Sequence, residues 1–178
     1  MSLIYITGVA GSGKSTVMEH LTKLGYETHG VDEEGFADWI NRETGETALF
    51  PDDESSVDFH SWYKKYSWVL SKERIQQLAQ ESRIASKAVF LAGVADGESI
   101  VRDLFSHIVY LAVDEATVRR RIEERENNSF GKTPEEMADT LKWLRENDTR
   151  YKTDGSTVID ATQPPIRVAE DIIRTTIN

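Results

Sequence analysis

Apolar residues fall along this chain in short runs. Five of them, LIYIT (3–7), YETHGVD (26–32), KAVFLAG (87–93), HIVYLAVD (107–114) and STVIDAT (156–162), have the length and β-branched or aromatic content of buried or half-buried strands. Between them apolar positions recur at helical spacing. Val17, Met18, Leu21 and Leu24 follow Gly13, and that run ends at Gly25. The segment TPEEMADTLKWLREND opens with Thr133 as N-cap, Pro134 at the first helical position and Glu136 closing a capping box, and Met137, Leu141 and Leu144 give it one apolar face. A last helix is expected from about Pro164–Pro165. Strand alternating with helix predicts an α/β chain with a parallel sheet covered on both faces. No repeat, low-complexity tract or linker interrupts the pattern, so residues 1–178 are expected to form one domain.

The junction of the first strand and first helix is unusual. Gly8-Val9-Ala10-Gly11-Ser12-Gly13-Lys14-Ser15 fits G-x-x-x-x-G-K-[ST], the P-loop or Walker A pattern, in the strand-to-helix context the pattern needs. Glycines let backbone N–H groups curl around phosphate oxygens, and the helix start aims its positive dipole end at them. Gly8, Gly11, Ser12, Gly13, Lys14, Ser15 and Thr16 are therefore the nucleotide-binding candidates. Lys14 would reach the β- and γ-phosphates of ATP, and the Ser15 hydroxyl would ligate Mg²⁺.

Composition narrows the field. Of the residues 39% are apolar and 29% charged, which reads as a soluble globular chain. There is no cysteine, which excludes disulfides, thiolate metal sites and a thiol nucleophile, and the four histidines are scattered. No apolar run approaches membrane-spanning length, and a strand-like run at Leu3 leaves no room for a leader, so a cytoplasmic protein without a membrane partner is expected. The net charge of −10 argues against a nucleic-acid partner. Most of that charge lies between Val31 and Asp58, where ten acids, including Asp52, Asp53 and Glu54, stand against one base, Arg42. That stretch is either a solvated acidic face or the border of a site whose substrate is not strongly anionic.

Phosphate binding does not name a reaction. The second strand ends in Gly30-Val31-Asp32-Glu33-Glu34, and with the P-loop this resembles the P-loop small-molecule kinases, the group of nucleoside monophosphate, shikimate and gluconate kinases. The resemblance implies a three-layer αβα sandwich with a five-stranded parallel sheet in the order 2-3-1-4-5, a helical substrate cap at about 35–85 and a short lid at about 125–132. It implies that Asp32 orients the Mg²⁺ shell, through water, or accepts the proton of a substrate hydroxyl, and that Glu34 contacts substrate. Either acid could instead be a strand-end residue of an acidic loop. In VDEATVRRRIEEREN, Arg119, Arg120, Arg121 and Arg125 crowd one helix, with Arg121 and Arg125 on one face. The resemblance makes Arg121 and Arg125 catalytic, neutralising the transferring phosphoryl group, with Arg150 a weaker candidate. The alternative is pairing with Glu123, Glu124 and Glu126 on a solvated helix. Asp160-Ala161-Thr162-Gln163-Pro164-Pro165 corresponds to the loop that lies along adenine in that group.

Two features bear on the reaction and its acceptor. Val113-Asp114-Glu115 closes a hydrophobic strand in the pattern of ATPases that hydrolyse with a glutamate base; the competing reading makes Asp114 a helix N-cap and Glu115 its first-turn acid. Gly45-Glu46-Thr47-Ala48-Leu49-Phe50-Pro51-Asp52-Asp53-Glu54 echoes a shikimate-kinase stretch but has Pro51 where that stretch carries a carboxylate-binding arginine. The Asp-Gly-Phe-Pro-Arg run of adenylate kinases is absent too. Trp39, Phe50, Phe59, Trp62, Tyr63, Tyr66 and Trp68 fill the region instead, either as the core of a small cap or as a stacking wall. The expected activity is transfer of the ATP γ-phosphoryl group to a hydroxyl of a neutral or weakly charged small molecule by a monomer or homodimer. A nucleoside monophosphate kinase and a P-loop ATPase or nucleotide-binding regulatory protein are the alternatives.

Overall fold

The computed structural model describes residues 2–51, 53, 57–126 and 128–177. Asp52 and Glu54 of the acidic stretch and Asn127 of the expected lid lie outside them. Five strands, β1 (Leu3–Thr7), β2 (Glu27–Gly30), β6 (Val89–Ala92), β7 (His107–Ala112) and β8 (Thr157–Asp160), form one parallel sheet in the order β2-β6-β1-β7-β8. This is the 2-3-1-4-5 order; β1 coincides with its apolar run, and the other four strands are two or three residues shorter than theirs. Every residue of β1 is buried, because the central strand is covered on both faces.

The alternation of β1 builds two cores. Ile4 and Ile6 face one layer with Val17 and Leu21 of α1 (Lys14–Lys23), Val118 and Ile122 of α5 (Glu115–Glu124), Leu141 and Leu144 of α6 (Pro134–Tyr151), and Val168 and Ile172 of α7 (Pro165–Thr176). Leu3 and Tyr5 face the other, with Ile75 and Leu78 of α3 (Lys72–Ala85) and Val101 of α4 (Glu98–Val101). Fully burying one such aliphatic side chain contributes roughly 1.5–3 kcal/mol, so these two apolar layers dominate the stability of the sandwich. The capping box forms: Thr133 Oγ1 accepts from the Glu136 N–H at 3.3 Å while Glu136 Oε2 accepts from the Thr133 N–H at 3.5 Å. Leu24 departs from its helical pattern; α1 ends at Lys23, and Leu24 turns outward as C-cap, 49% exposed.

The cap differs from the helical one expected. It holds one short helix, α2 (Phe59–Lys65), beside a three-stranded antiparallel sheet β4-β3-β5, made of β3 (Ala37–Asn41), β4 (Thr47–Ala48) and β5 (Tyr66–Leu70). Phe59, Trp62 and Tyr63 share the helix, but Tyr66 begins β5. ADWIN and YSWVL are rich in the aromatic and β-branched residues that suit a pleated surface, and they pair Trp39 with Trp68. A turn at Asn41 closes β3 on β4: its side chain accepts from the N–H of Glu43 at 2.9 Å and of Thr44 at 3.2 Å. That Asn-to-Gly45 turn between two short apolar runs is the sequence signal for the hairpin. Helix α3 lies inside the span 35–85 but packs on the main sheet. No helix among the described residues is long and apolar enough to cross a membrane.

Candidate active site

The loops that follow β1, β2, β6 and β8 meet at the carboxyl ends of the parallel strands, where open α/β sheets hold their ligands. After β1 the chain turns tightly. Gly13, the N-cap of α1, has φ +99°, a left-handed conformation natural only to glycine, and offers no side chain to cap the helix. A Cβ on Gly8 would stand 2.7 Å from Ser12 Oγ, and one on Gly11 would stand 3.2 Å from Val118 O of α5, so helix α5 presses the loop into shape. The first turn of α1 carries no acid, which leaves its dipole end unneutralised.

Among the described residues no carboxylate pairs with Lys14 in this cradle. Its Nζ folds back to donate to Gly8 O at 2.5 Å and Val9 O at 3.1 Å, and burial pushes its pKa down to about 8. The Ser12 hydroxyl is buried with no hydrogen-bond partner among the described residues. Ser15 and Thr16 are exposed on the first turn. An open helix start, a lysine bonded only to carbonyls and an orphaned hydroxyl suit a polyphosphate. Among the described residues no cluster of three His, Asp or Glu could hold a metal by itself. The hard oxygen of Ser15 fits Mg²⁺, which usually keeps waters and substrate phosphates as its other ligands, and one such water would suit the Asp32 carboxylate.

Asp32 stands in the turn after β2. The indole Nε1–H of Trp68, from the cap strand β5, donates to its Oδ1 at 2.8 Å. Burial raises the Asp32 pKa above the usual carboxylate range; the indole bond and the charge of Lys14 oppose that rise. Glu34 is engaged elsewhere. It takes His29 Nδ1 at 2.7 Å and the Gly30 N–H at 3.1 Å, closing its own turn rather than facing the phosphate cradle. Tyr63 of α2 packs between Trp39 of β3, 5.3 Å away, and Trp143 of α6, 5.5 Å away; burial pushes its pKa up to about 12.

The two arginines of α5 do different things. Arg121 lies behind the P-loop, with Nη1 donating to Ser12 O at 3.1 Å and Nη2 to Ala161 O at 2.9 Å. Those contacts place Arg121 on backbone carbonyls of the P-loop and of the loop after β8. Arg125 is the C-cap of α5; it donates to Phe130 O and its positive charge is felt by Lys14. Phe130 in turn packs on Phe59 of the cap, ring centroids 5.9 Å apart, and stacks on Trp143 of α6 at 6.4 Å. Arg119 and Arg120 are exposed on the helix. Arg150 does not reach the lid: it binds the buried Glu98, with Arg102 and Tyr151 on the same carboxylate. Asp114 caps α5 through the Thr117 N–H at 2.7 Å, and Glu115, in the first turn of that helix, pairs with Arg145 at 2.5 Å. The Trp68–Asp32 bond was not foreseeable from the sequence, since 36 residues separate the pair and β5 was not expected.

Fold and cradle together define a P-loop nucleotide-binding protein. A family model described as an AAA domain matches residues 4–148, and the chain belongs to that family. No curated protein matches the chain in sequence. Among solved structures it is similar to a shikimate kinase from Acinetobacter baumannii in complex with shikimate (23% identity, 98% of this chain and 92% of that one covered, TM-score 0.58). It is also similar to a sugar kinase from a Janibacter species (16%, 98% and 93%, TM-score 0.59) and to a deoxyadenosine kinase from M. mycoides with bound dATP (20%, 98% and 98%, TM-score 0.51). At these identities the likeness is one of fold: the chain has the α/β P-loop kinase fold.

Proposed function

We propose that this chain is an ATP-dependent kinase that transfers the γ-phosphoryl group to a hydroxyl of a neutral or cationic small molecule. The observation that carries this reading is the place of Asp32 in the turn after β2, where Trp68 of the cap holds it at 2.8 Å and the charge of Lys14 acts on it. Lys14 would hold the β- and γ-phosphates, and Arg125, entering from the lid, would face the charge that develops on the transferring group. Asp32 would take the hydroxyl proton. Ser15 would hold Mg²⁺, with Asp32 reaching its shell only through water, and the ion would supply charge neutralisation between the phosphates. Residues 36–70 would form the substrate cap and residues 125–132 the lid. The fold neighbours, a shikimate kinase, a sugar kinase and a deoxyadenosine kinase, support the reaction class.

Charge supports the acceptor class. The arginines that could have received a phosphate or carboxylate are engaged: Arg74 with Gly35 O and Asp38, Arg102 with Glu98 and Asp154, and Arg42 with Tyr63 O and, at 3.8 Å, Asp96. Arg83 lies with Asp103 and Phe105 beside the start of β1, at the opposite end of the sheet from the cradle. The AAA description favours a second reading, an ATPase, but its glutamate base would have to be Glu115, which is paired with Arg145.

The test is transfer from MgATP by the purified chain to nucleosides, sugars, shikimate and aminoglycosides, with a nucleoside and its monophosphate as a matched pair over a salt series. The nucleoside should be the better acceptor of the pair, most clearly at low salt, where screening is weakest. Preference for the monophosphate at every ionic strength would move the chain to the nucleoside monophosphate kinases. Asp32→Asn should abolish transfer while Glu115→Gln leaves it intact; the reverse pattern establishes the ATPase.

A further inference from the structure

The catalytic carboxylate of the kinase reading sits on an exposed turn, where an aspartate is free to rotate about χ1 and χ2. Here it is not free. Trp68 Nε1–H holds Oδ1 at 2.8 Å, and among the described residues Oδ2 takes no hydrogen bond. The indole is itself fixed. Its backbone carbonyl accepts from the Asp96 N–H at 2.7 Å, and the Leu70 N–H, two residues on, donates to Asp96 O at 3.0 Å, so β5 is stitched to the loop after β6. Trp68 is paired across the cap sheet with Trp39, whose ring lies 5.0 Å away. Indole nitrogen only donates, so this bond has one polarity whatever the protonation state of the partner.

Resting on the kinase reading, we propose that Trp68 is a positioning residue for phosphoryl transfer, holding one oxygen of Asp32 so that the other is presented to the acceptor hydroxyl. In the step it serves, the acceptor oxygen forms a bond to the γ-phosphorus and the bond from that phosphorus to the bridging oxygen of ADP breaks. The hydroxyl proton passes to Asp32 Oδ2. The cap thereby does more than cover the acceptor: it sets the direction of the base from a strand 36 residues away in sequence. The charged and titratable groups around Asp32 are Lys14 of α1, Glu33 of its own turn, Tyr63 of α2 and Tyr5 of β1.

Trp68→Phe keeps an aromatic ring against Trp39 and removes only the donor. On the nucleotide-free chain, the Asp32 carboxyl carbon followed by NMR should titrate about one pH unit higher in Trp68→Phe, because a hydrogen bond to the charged form is lost. With MgATP and the best acceptor of the screen, the rate should fall about tenfold with an unchanged ATP dissociation constant, since the loss falls on the transition state. The acid limb of the rate profile should move up with the Asp32 titration. In the parent chain the Trp68 indole N–H resonance should shift as Asp32 titrates and cease to do so in Asp32→Asn, a measurement that does not depend on the folding of Trp68→Phe. An Asp32 titration and a rate profile both unmoved in Trp68→Phe, or an indole resonance blind to Asp32, would overturn the proposal. A parent chain that binds MgATP but transfers to no acceptor overturns the kinase reading instead, and the two carboxyl titrations still decide whether the indole holds Asp32.

Discussion

Arg121 Nη2 donates to the carbonyl of Ala161 at 2.9 Å, and through Nη1 the same guanidinium holds the carbonyl of Ser12 at 3.1 Å. One side chain of α5 thus ties the P-loop to the loop after β8, the two segments that would border the phosphates and the base of a nucleotide. Its planar fork suits two diverging carbonyls in a way a lysine cannot reproduce.

Arg121→Ala should therefore lower stability by about 1–3 kcal/mol and weaken ATP binding, since several charge-assisted bonds are lost and their acceptors are left in a half-buried place. Arg121→Lys should recover only part of both. Arg125→Ala should instead lower transfer far more than ATP affinity. Thermal unfolding, calorimetric titration with ATP and turnover separate the two arginines; equal profiles for both would return them to a single role.

Lys14 makes ATP binding sensitive to pH. In the nucleotide-free chain its pKa lies at about 8, and bound phosphates raise it. Below about pH 8 Lys14 is charged before and after binding, so affinity is flat with respect to this group. Above it binding must take up a proton, and affinity should fall by up to about tenfold per pH unit. Calorimetry in buffers of different ionisation enthalpy reads that proton directly. Lys14→Met should abolish the uptake along with most of the affinity.

Phe130, in the proposed lid, packs on Phe59 and Tyr63 of α2 and on Trp143 of α6. Phe130→Ala should cost about 1–2 kcal/mol of stability, the loss of half-buried aromatic contacts. It should also speed amide exchange at residues 128–132 and reduce turnover more than ATP binding. Unchanged exchange there would show that the aromatic contact does not hold the lid.

Glu98 is a buried carboxylate satisfied by Arg102 at 2.6 Å, Arg150 at 2.8 Å and the Tyr151 hydroxyl at 2.6 Å. Glu98→Ala leaves Arg102 and Arg150 with Asp154 as their remaining carboxylate and strips the buried Tyr151 hydroxyl of its acceptor, and should destabilise the chain by about 1–3 kcal/mol. Glu98→Gln, which retains an acceptor, should cost less. Denaturant unfolding ranks the two variants against the parent.

What the sequence by itself determined is local. Gly8 to Ser15 announce the phosphate cradle because a sharp turn, a helix start and a lysine are all encoded within consecutive residues. The strand runs and the Thr133 capping box are legible for the same reason: hydrophobic period and cap chemistry act over a few positions. Tertiary structure alone decided the partners across long separations. Arg121 and Arg125 share one helix face in sequence, yet packing turns the first onto Ser12 and Ala161 and the second toward the lid. Asp32 and Glu34 read alike as strand-end acids, yet Glu34 is taken by His29 while Asp32 is held by Trp68. The cap strands escaped the reading because ADWIN and YSWVL become a sheet only when they pair with each other across α2. Pairing depends on loop closure and on which face each strand buries, and no local period carries that information.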